Sequence, residues 1–298
     1  MPASNKSMQG KICMVTGANS GIGKATALGL AKMGATVVMV CRNLAKGEES
    51  QREIQQQSGN EAVDLLIADL SSQQAIRQLA QEFQQRYSQL HVLVNNAGGA
   101  VPERQLSVDG IEMTFAVNFL ASFLLINLVL DTIKASTPAR IINVSSDAQT
   151  NYIHLDDLQR TKKYRIFQAY GEAKTALMLF TYALAQKLKG TGVTVNALHP
   201  GVVATNFMDH AVTPFAQPFA RPLISIFKRF LINSEEGAKT SLYLATSPEV
   251  EGVTGKYFEK CKERPSVPIS YDKSLQQQIW KIGEELTGRT FNVALPTL

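Results

Sequence analysis

Cysteine is scarce in this sequence, and the cysteines that occur stand far apart. Cys13, Cys41 and Cys261 are the three among 298 residues, and none belongs to a CxxC pair. An odd number at such spacing argues against a disulfide framework or a zinc site, and it favours a reducing compartment. The four histidines show no metal-ligand spacing, so we expect no bound metal.

Charge of one sign and long uncharged runs are also limited. The formal net charge is +5, and the basic residues are scattered, which argues against nucleic acid as a partner. Residues 1–9 are short and polar, so we expect no signal peptide and a soluble cytoplasmic protein. The uncharged run Met113–Leu130 is long enough to span a membrane, but its interior polar residues, such as Asn118, favour a buried core helix.

Apolar runs rich in β-branched residues alternate with segments of helical periodicity. Most runs are continuously apolar, which is typical of strands covered on both faces. The predicted strands are Lys11–Val15, Thr36–Val40, Val63–Ala68, Val92–Val94, Arg140–Val144 and Val193–Leu198. The predicted helices include Ile22–Met33, Leu44–Gln57, Gln73–Tyr87 and Lys273–Leu286. The alternation predicts one α/β domain over residues 1–298, a Rossmann-type doubly wound parallel sheet with helices on both faces.

A glycine-rich turn follows the first predicted strand and opens the first predicted helix. Gly17 permits a tight turn, Gly21 lets the backbone approach a pyrophosphate, and Gly23 lets the helix pack closely on the strand. The phosphates would then meet the unpaired N–H groups and dipole of a helix N-terminus. The residues predicted to contact the cofactor here are Gly17, Asn19, Ser20, Gly21, Ile22 and Gly23. The alternative is a glycine-rich turn that binds no ligand.

The end of the second predicted strand bears on the choice between NAD and NADP. A carboxylate at this point would bind a ribose 2′-hydroxyl, whereas an arginine suits a 2′-phosphate. The strand ends in Cys41 and Arg42, followed by Asn43 and, a helical turn later, Lys46. The planar guanidinium of Arg42 fits a phosphate, which favours NADP(H). The alternative is that Arg42 is merely a solvated residue at the end of a strand.

Tyr170 and Lys174 lie four residues apart in a helix-length segment, so their side chains share one helix face. A nearby ammonium is expected to lower the pKa of the phenol, so that Tyr170 could exchange a proton with a substrate oxygen. The pair alone is also common as a surface coincidence. Ser145 and Ser146 end the strand before it, at the sheet edge where ligands bind, and a hydroxyl there could polarise a carbonyl.

Together these motifs resemble the short-chain dehydrogenase/reductase family. The similarity covers nearly the whole chain and runs through Thr16 to Gly23, Asp69, Asn95 to Gly98, Asn118, Ser146, Tyr170 with Lys174, and Pro200 with Gly201. The resemblance implies that Tyr170 is the general acid or base, Lys174 lowers its pKa and binds the nicotinamide ribose, and Ser146 polarises the substrate. It implies that Asn118 holds a water in a proton relay.

The same resemblance implies further cofactor contacts. Asp69 and Leu70 would meet the adenine, although Asp69 could simply cap the next helix. Asn95, Ala97 and Gly98 would support the cofactor. The alternative is that Asn95 and Asn96 close a loop. The remaining implied contacts are Pro200, Gly201, Val203 and Thr205, with Thr205 reaching the carboxamide.

Ser146 and Tyr170 are 24 residues apart, and a polar, charged insertion lies between them. With this spacing the sequence resembles the retinol dehydrogenase-like branch. That branch mostly uses NADP(H) on retinoids or other lipophilic aldehydes and ketones. Many of its members have an N-terminal hydrophobic anchor, and residues 1–9 do not resemble one. Apolar residues of 206–232 predict a substrate lid, and the basic Arg221, Lys228 and Arg229 would rest on a membrane or in solvent. Residues 270–298 would form a C-terminal helical extension.

The resemblance also implies pairing through the helices around Met113 to Lys134 and Gln168 to Lys189, giving a homodimer or homotetramer. Apolar residues there could equally face the sheet. The sequence therefore predicts an NADP(H)-dependent oxidoreductase for a small lipophilic carbonyl or alcohol. The alternatives are a catalytically silent NADP(H)-binding sensor or scaffold and a light-dependent tetrapyrrole reductase.

Overall fold

Eight strands form one sheet in the computed structural model, which describes residues 7–201 and 233–291. The spatial order is β3-β2-β1-β4-β5-β6-β7-β8, with parallel neighbours up to β7 and β8 antiparallel to it. The strands are β1 (Ile12–Thr16), β2 (Thr36–Cys41), β3 (Val63–Ile67), β4 (Val92–Asn95), β5 (Ala139–Val144), β6 (Val193–His199), β7 (Tyr257–Glu259) and β8 (Lys262–Arg264). The predicted Rossmann-type fold is confirmed.

Seven helices of the described residues cover the two faces of this sheet. They are α1 (Gly21–Lys32), α2 (Leu44–Ser58), α3 (Gln73–Arg86), α4 (Met113–Lys134), α5 (Ile166–Lys187), α6 (Ser234–Thr246) and α7 (Lys273–Thr287). The predicted strands and helices agree with these bounds within one or two residues. Helix α6 and strands β7 and β8 were not predicted from the sequence.

The continuous apolar strands are explained by two hydrophobic cores. Side chains alternate across a strand, so Met14 points into one core and Val15 into the other. The first core lies under α3, α4, α5 and α7, whereas the second lies under α1, α2 and α6. Both faces are therefore buried, as in sheets built from right-handed βαβ units.

Helix α4 contains the uncharged run noted in the sequence. It is the one helix of the described residues that is long and apolar enough to cross a membrane. In the structure 83% of its most apolar window is buried inside the protein. Near its start the helix widens into a π turn at Ala116–Leu120, a distortion often found at functional sites.

Helix α7 packs against α4 and α5. The indole of Trp280 lies 5.8 Å from the ring of Phe123 and 5.6 Å from that of Phe180. The ammonium of Lys187 lies 4.6 Å above the same indole. Helix α7 ends before Gly288, whose φ of 60° is the left-handed conformation common just after the end of a helix.

Candidate active site

Most residues singled out in the sequence follow the carboxyl ends of six parallel strands, whereas Asn118, Tyr170 and Lys174 lie on helices. The strand pairing aligns these ends side by side, with Val15 opposite Val94, Asn95 opposite Asn143, and Val144 opposite Leu198. The neighbours β1 and β4 mark the point where the strand order reverses. In open α/β sheets this crevice is where ligands bind.

The turn between β1 and α1 has the backbone that a diphosphate site needs. Gly17 and Gly21 have φ values of 66° and 54°, which side chains rarely adopt. A Cβ on Gly23 would lie 2.2 Å from the Gly17 carbonyl oxygen, so the helix can approach the turn only without a side chain there. The turn therefore presents its backbone and the start of α1 closely enough to fit a nicotinamide dinucleotide.

Thr16 and Asn96 connect this turn to the loop after β4. The Thr16 hydroxyl accepts hydrogen bonds from the backbone N–H groups of Asn96 and Ala97, both at 3.0 Å. The Asn96 amide donates to the Thr16 carbonyl at 2.9 Å. Asn95 is buried and donates to Asn143 at 2.9 Å, so its side chain supports the strands. No individual role of Thr16 or Asn96 was predicted from the sequence.

The predicted adenine end lies beyond β2 and β3. Arg42 and Lys46 are exposed, and the Asn43 side chain accepts a hydrogen bond from the Lys46 N–H at 3.0 Å, capping α2. Asp69 accepts from the backbone N–H and hydroxyl of Ser71 at 2.9 and 2.8 Å. Helix α3 is capped by Ser72, so the alternative that Asp69 caps this helix is wrong.

Ser146, Tyr170 and Lys174 meet beside the end of β5. The Ser146 and Tyr170 hydroxyls are hydrogen bonded. Ser146 Oγ also accepts from the Ala148 N–H at 3.1 Å, which leaves its own proton for an acceptor. Lys174 Nζ donates to the Val144 carbonyl at 2.9 Å and lies 5.6 Å from the centre of the Tyr170 ring.

Asn118 joins this group from the π turn of α4. Its amide donates to the carbonyls of Gly99 and Thr114 at 2.7 and 2.8 Å, and its oxygen accepts from the Gly99 N–H at 3.0 Å. A Cβ on Gly98 would lie 2.5 Å from the Asn118 oxygen and 3.2 Å from Lys174 Nζ. Gly98 therefore borders both side chains, and the four predicted catalytic residues lie together.

Burial dominates the pKa values of these groups. It lowers the pKa of Lys174 to about 8. It also raises the pKa of Tyr170, although the hydrogen bond from Ser146 opposes this effect. The expected lowering of the phenol pKa by Lys174 is thus not seen here, because removal from water disfavours the phenolate.

Two further charged residues lie next to this group, and neither was predicted from the sequence to have a role. Glu172, between Tyr170 and Lys174, is buried and forms an ion pair with the buried Arg160. The charged insertion before α5 was the available signal. Its conformation, with φ of 52° at Arg160, is not readable from sequence.

Pro200 and Gly201 follow β6 at the same edge, and Gly201 has a φ of 90°. Val203, Thr205 and the predicted lid 206–232 lie outside the described residues, as do Arg221, Lys228 and Arg229. Within 7–201 and 233–291, no cluster of three or more His, Cys, Asp or Glu side chains could hold a metal ion. Cys13, Cys41 and Cys261 are free thiols.

The chain is similar to known proteins over most of its length. A family model described as short chain dehydrogenase matches residues 11–214. Retinol dehydrogenase 14 from Homo sapiens is 43% identical over 296 residues, covering 94% of this chain and 87% of the relative. Polyprenol dehydrogenase from Homo sapiens is 40% identical over 289 residues, covering 93% and 85%.

Solved structures show the same fold. An uncharacterised protein from Mycobacterium paratuberculosis is 28% identical with a TM-score of 0.76, and 95% of each chain is covered. The Pseudomonas aeruginosa RhlG/NADP active-site complex is 27% identical with a TM-score of 0.67, covering 90% of this chain and 99% of that one. The chain therefore belongs to the short-chain dehydrogenase/reductase family of oxidoreductases, in its retinol dehydrogenase-like branch.

Proposed function

We propose that this protein is an NADP(H)-dependent oxidoreductase that interconverts the carbonyl and alcohol forms of a small lipophilic substrate, such as a retinoid, aldehyde or ketone. One observation carries the proposal: the hydrogen-bonded hydroxyls of Tyr170 and Ser146 lie beside the ammonium of Lys174, at the sheet edge that holds the glycine turn.

A bound nicotinamide would supply or accept the hydride. Tyr170 donates the proton to the substrate oxygen in reduction and takes it back in oxidation. Because Ser146 Oγ accepts from the Ala148 N–H, its single proton can point at the same oxygen and stabilise the charge developing there. Burial holds Tyr170 in its protonated form, which suits proton donation and hence carbonyl reduction.

The cationic form of Lys174 is the part of this site that is sensitive to pH. Its pKa of about 8 keeps it mostly charged at neutral pH, close to the Tyr170 ring. A cation there stabilises negative charge on the phenol oxygen after the proton has left. The neighbouring Asn118 fixes the backbone at Gly99 and thereby the loop that borders Lys174.

Arg42 supports the proposed preference for NADP(H). It is exposed directly after β2, where a 2′-phosphate would lie, and no carboxylate stands at that strand end. Exchange of Arg42 for Asp should favour NADH by repelling the phosphate and accepting a ribose hydroxyl. Unchanged kcat/KM ratios for NADPH and NADH in Arg42→Asp would contradict this role.

The proposed substrate class depends on the relatives, whose names specify retinol and polyprenol as alcohols. A panel of retinal, alkyl aldehydes, steroids and quinones tests it by following NADPH oxidation. We expect turnover of at least one lipophilic carbonyl without illumination, which separates this function from a light-dependent tetrapyrrole reductase. Soluble cytoplasmic location and membrane contact through the lid remain predictions, and liposome flotation tests the contact.

Tyr170→Phe is the variant that tests the mechanism. It keeps the ring but loses the proton, so kcat should fall by about 100-fold or more while NADPH binding is retained. Calorimetric titration with NADPH provides the binding control. Retained turnover would refute the role of Tyr170, and a wild-type protein that binds NADPH but turns over nothing would favour the silent sensor.

A further inference from the structure

Residues 151–165 form a strap between the Ser146 turn and α5. The strap contains one short helical turn, Leu155–Asp157, and then passes through Arg160 to Tyr164. It contacts both helices that contribute to the active site. On one side it contacts α5, which carries Tyr170 and Lys174, and on the other it contacts the start of α4, which carries Asn118.

Glu172 is the attachment point on α5. It is 2% exposed and forms an ion pair with Arg160, which is 5% exposed. It also accepts hydrogen bonds at 2.9 Å from the backbone N–H and ring of His154. Burial raises the pKa of the Glu172 carboxyl. The hydrogen bonds from Arg160 and His154 outweigh this effect and hold the pKa below its ordinary value. The carboxylate is thus charged and fully partnered.

Gln159 and Tyr164 attach the other side of the strap to α4 and the loop before it. The Gln159 side-chain oxygen accepts from the Glu112 N–H at 2.8 Å, directly before α4. The Tyr164 hydroxyl donates to the Val101 carbonyl at 2.6 Å and lies 3.1 Å from the Thr114 hydroxyl. The Thr114 carbonyl in turn accepts from Asn118. Polar contacts at both ends and the strap backbone between them therefore connect Glu172 with Asn118.

A buried ion pair is a costly way to hold a loop. Two desolvated charges gain little over well-packed apolar side chains of similar size, and their advantage is a fixed geometry. Arg160 also has a left-handed backbone, with φ of 52°, which is uncommon for a residue with a side chain. The contact therefore combines a desolvation penalty with an uncommon backbone conformation. It is made at the helix turn that separates Tyr170 from Lys174.

We propose that Arg160 and Glu172 are positioning residues for the hydride-transfer reaction, which set the spacing of α4 and α5 through the strap and so hold Asn118 against Lys174 and Tyr170. The proposal rests on the proposed oxidoreductase function. Neither residue needs to contact the substrate, because their effect passes through the helices that carry the four catalytic residues.

Glu172→Gln tests the pair with little change in shape. It leaves Arg160 buried without its counter-ion, so the strap should detach and kcat should fall by about tenfold or more, since small misplacements of catalytic groups are costly. The KM for NADPH should stay near the wild-type value, because most of the predicted cofactor contacts, the glycine turn and Arg42 among them, lie outside α4 and α5. Glu82→Gln is the matched control, since it breaks the exposed ion pair with Arg86.

The double variant Arg160→Gln with Glu172→Gln tests whether the loss of kcat in a single variant comes from the unpaired charge that it leaves buried. With both charges removed, no unpaired charge remains buried, so kcat should recover from the value of either single variant. Trypsin cleavage after the exposed Lys162 and Lys163 reports on the strap independently of activity, and it should be faster in Glu172→Gln than in Glu82→Gln. If the single variant does not fold, Arg160→Lys, which keeps the charge but not the planar fork, takes its place and should give a smaller kcat loss.

The outcomes separate this proposal from the proposed function. Faster cleavage with an unchanged kcat, or a kcat loss that disappears on cooling well below the unfolding temperature, would overturn the positioning role while the oxidoreductase function stands. A wild-type protein inactive on the whole panel would overturn both. A lower kcat with retained NADPH KM, and recovery in the double variant, would establish the role.

Discussion

Gly98 is the glycine of the candidate site that borders two predicted catalytic side chains. A methyl group at this position would displace the Asn118 oxygen, 2.5 Å away, and press on Lys174 Nζ at 3.2 Å. We predict that Gly98→Ala lowers kcat by about tenfold or more through this displacement. Steady-state kinetics with the best substrate of the panel measure the effect.

The neighbouring glycine provides the control for this prediction. A Cβ on Gly99 would meet no heavy atom of the described residues within 4 Å. Gly99→Ala should therefore keep the wild-type kcat and the wild-type unfolding temperature. Equal losses in the two variants would show that the loop backbone, rather than contact with Asn118 and Lys174, limits the position.

Lys174 predicts a specific dependence of stability on pH. Its folded-state pKa of about 8 is below the ordinary 10.5, so the unfolded chain binds this proton more tightly. The penalty for burying the charge is fully present below pH 8 and disappears as the pH rises to 10.5. Over that window the free energy of unfolding should gain about 3 kcal/mol from this group, because each pKa unit corresponds to about 1.4 kcal/mol.

Urea unfolding of the wild type and of Lys174→Met measures this contribution. Subtracting the two free energies of unfolding cancels the contributions of other titrating groups. One such group is the buried thiol of Cys13, whose pKa burial raises to about 12. The wild type should gain stability relative to the variant between pH 8 and pH 10.5. A difference that stays constant over this range would mean that Lys174 is solvated and not buried as described.

Periodicity predicted six strands and most of the helices, but it missed the two short strands and one helix of 13 residues. Strands β1 to β6 and the helices α1 to α3 and α7 carry patterns extending over several residues, and their bounds were predicted closely. Strands β7 and β8 have three residues each, too few to show any period. Helix α6 did have a signal, because Asn233 caps it by accepting from the Glu236 N–H at 2.8 Å.

The π turn in α4 shows a second limit of pattern analysis. A helical period of 3.6 residues identifies the helix but not the place where the ladder widens. Asn118 occupies that place and its amide satisfies the Thr114 carbonyl within the turn. The motif resemblance indicated Asn118 as a functional residue, whereas the backbone that aims it was not readable from the sequence.

For the whole molecule, strand order brings the distant motifs together. The alternation of strands and helices predicts a parallel sheet with ligands at its carboxyl edge, but not which strands are neighbours. The order β1-β4-β5-β6 places Gly17, Gly98, Ser146 and Pro200 after consecutive strand ends. The contacts of the strap depend on a loop conformation, which neither composition nor periodicity determines.

The position of α7 leads to a prediction about assembly. Pairing of two copies through α4 and α5 would require exposed faces on these helices, and α7 covers them through Trp280. Farther along, a Cβ on Gly283 of α7 would lie 2.6 Å from the Phe123 ring, and Arg289 donates to Asn127 of α4 at 2.8 Å. We therefore predict a monomer of 32.6 kDa, measured by light scattering after size-exclusion chromatography.

A variant of α7 tests whether the protein is a monomer because this helix covers α4 and α5. Trp280→Arg places a charge among Phe123, Phe180 and Phe291, so α7 should detach and expose the apolar faces of α4 and α5. The mass should then rise with protein concentration, whereas Lys281→Ala on the exposed side of α7 should leave the monomer unchanged. A wild-type mass twice the monomer value would contradict the prediction, because two copies would then associate despite the cover or through another surface.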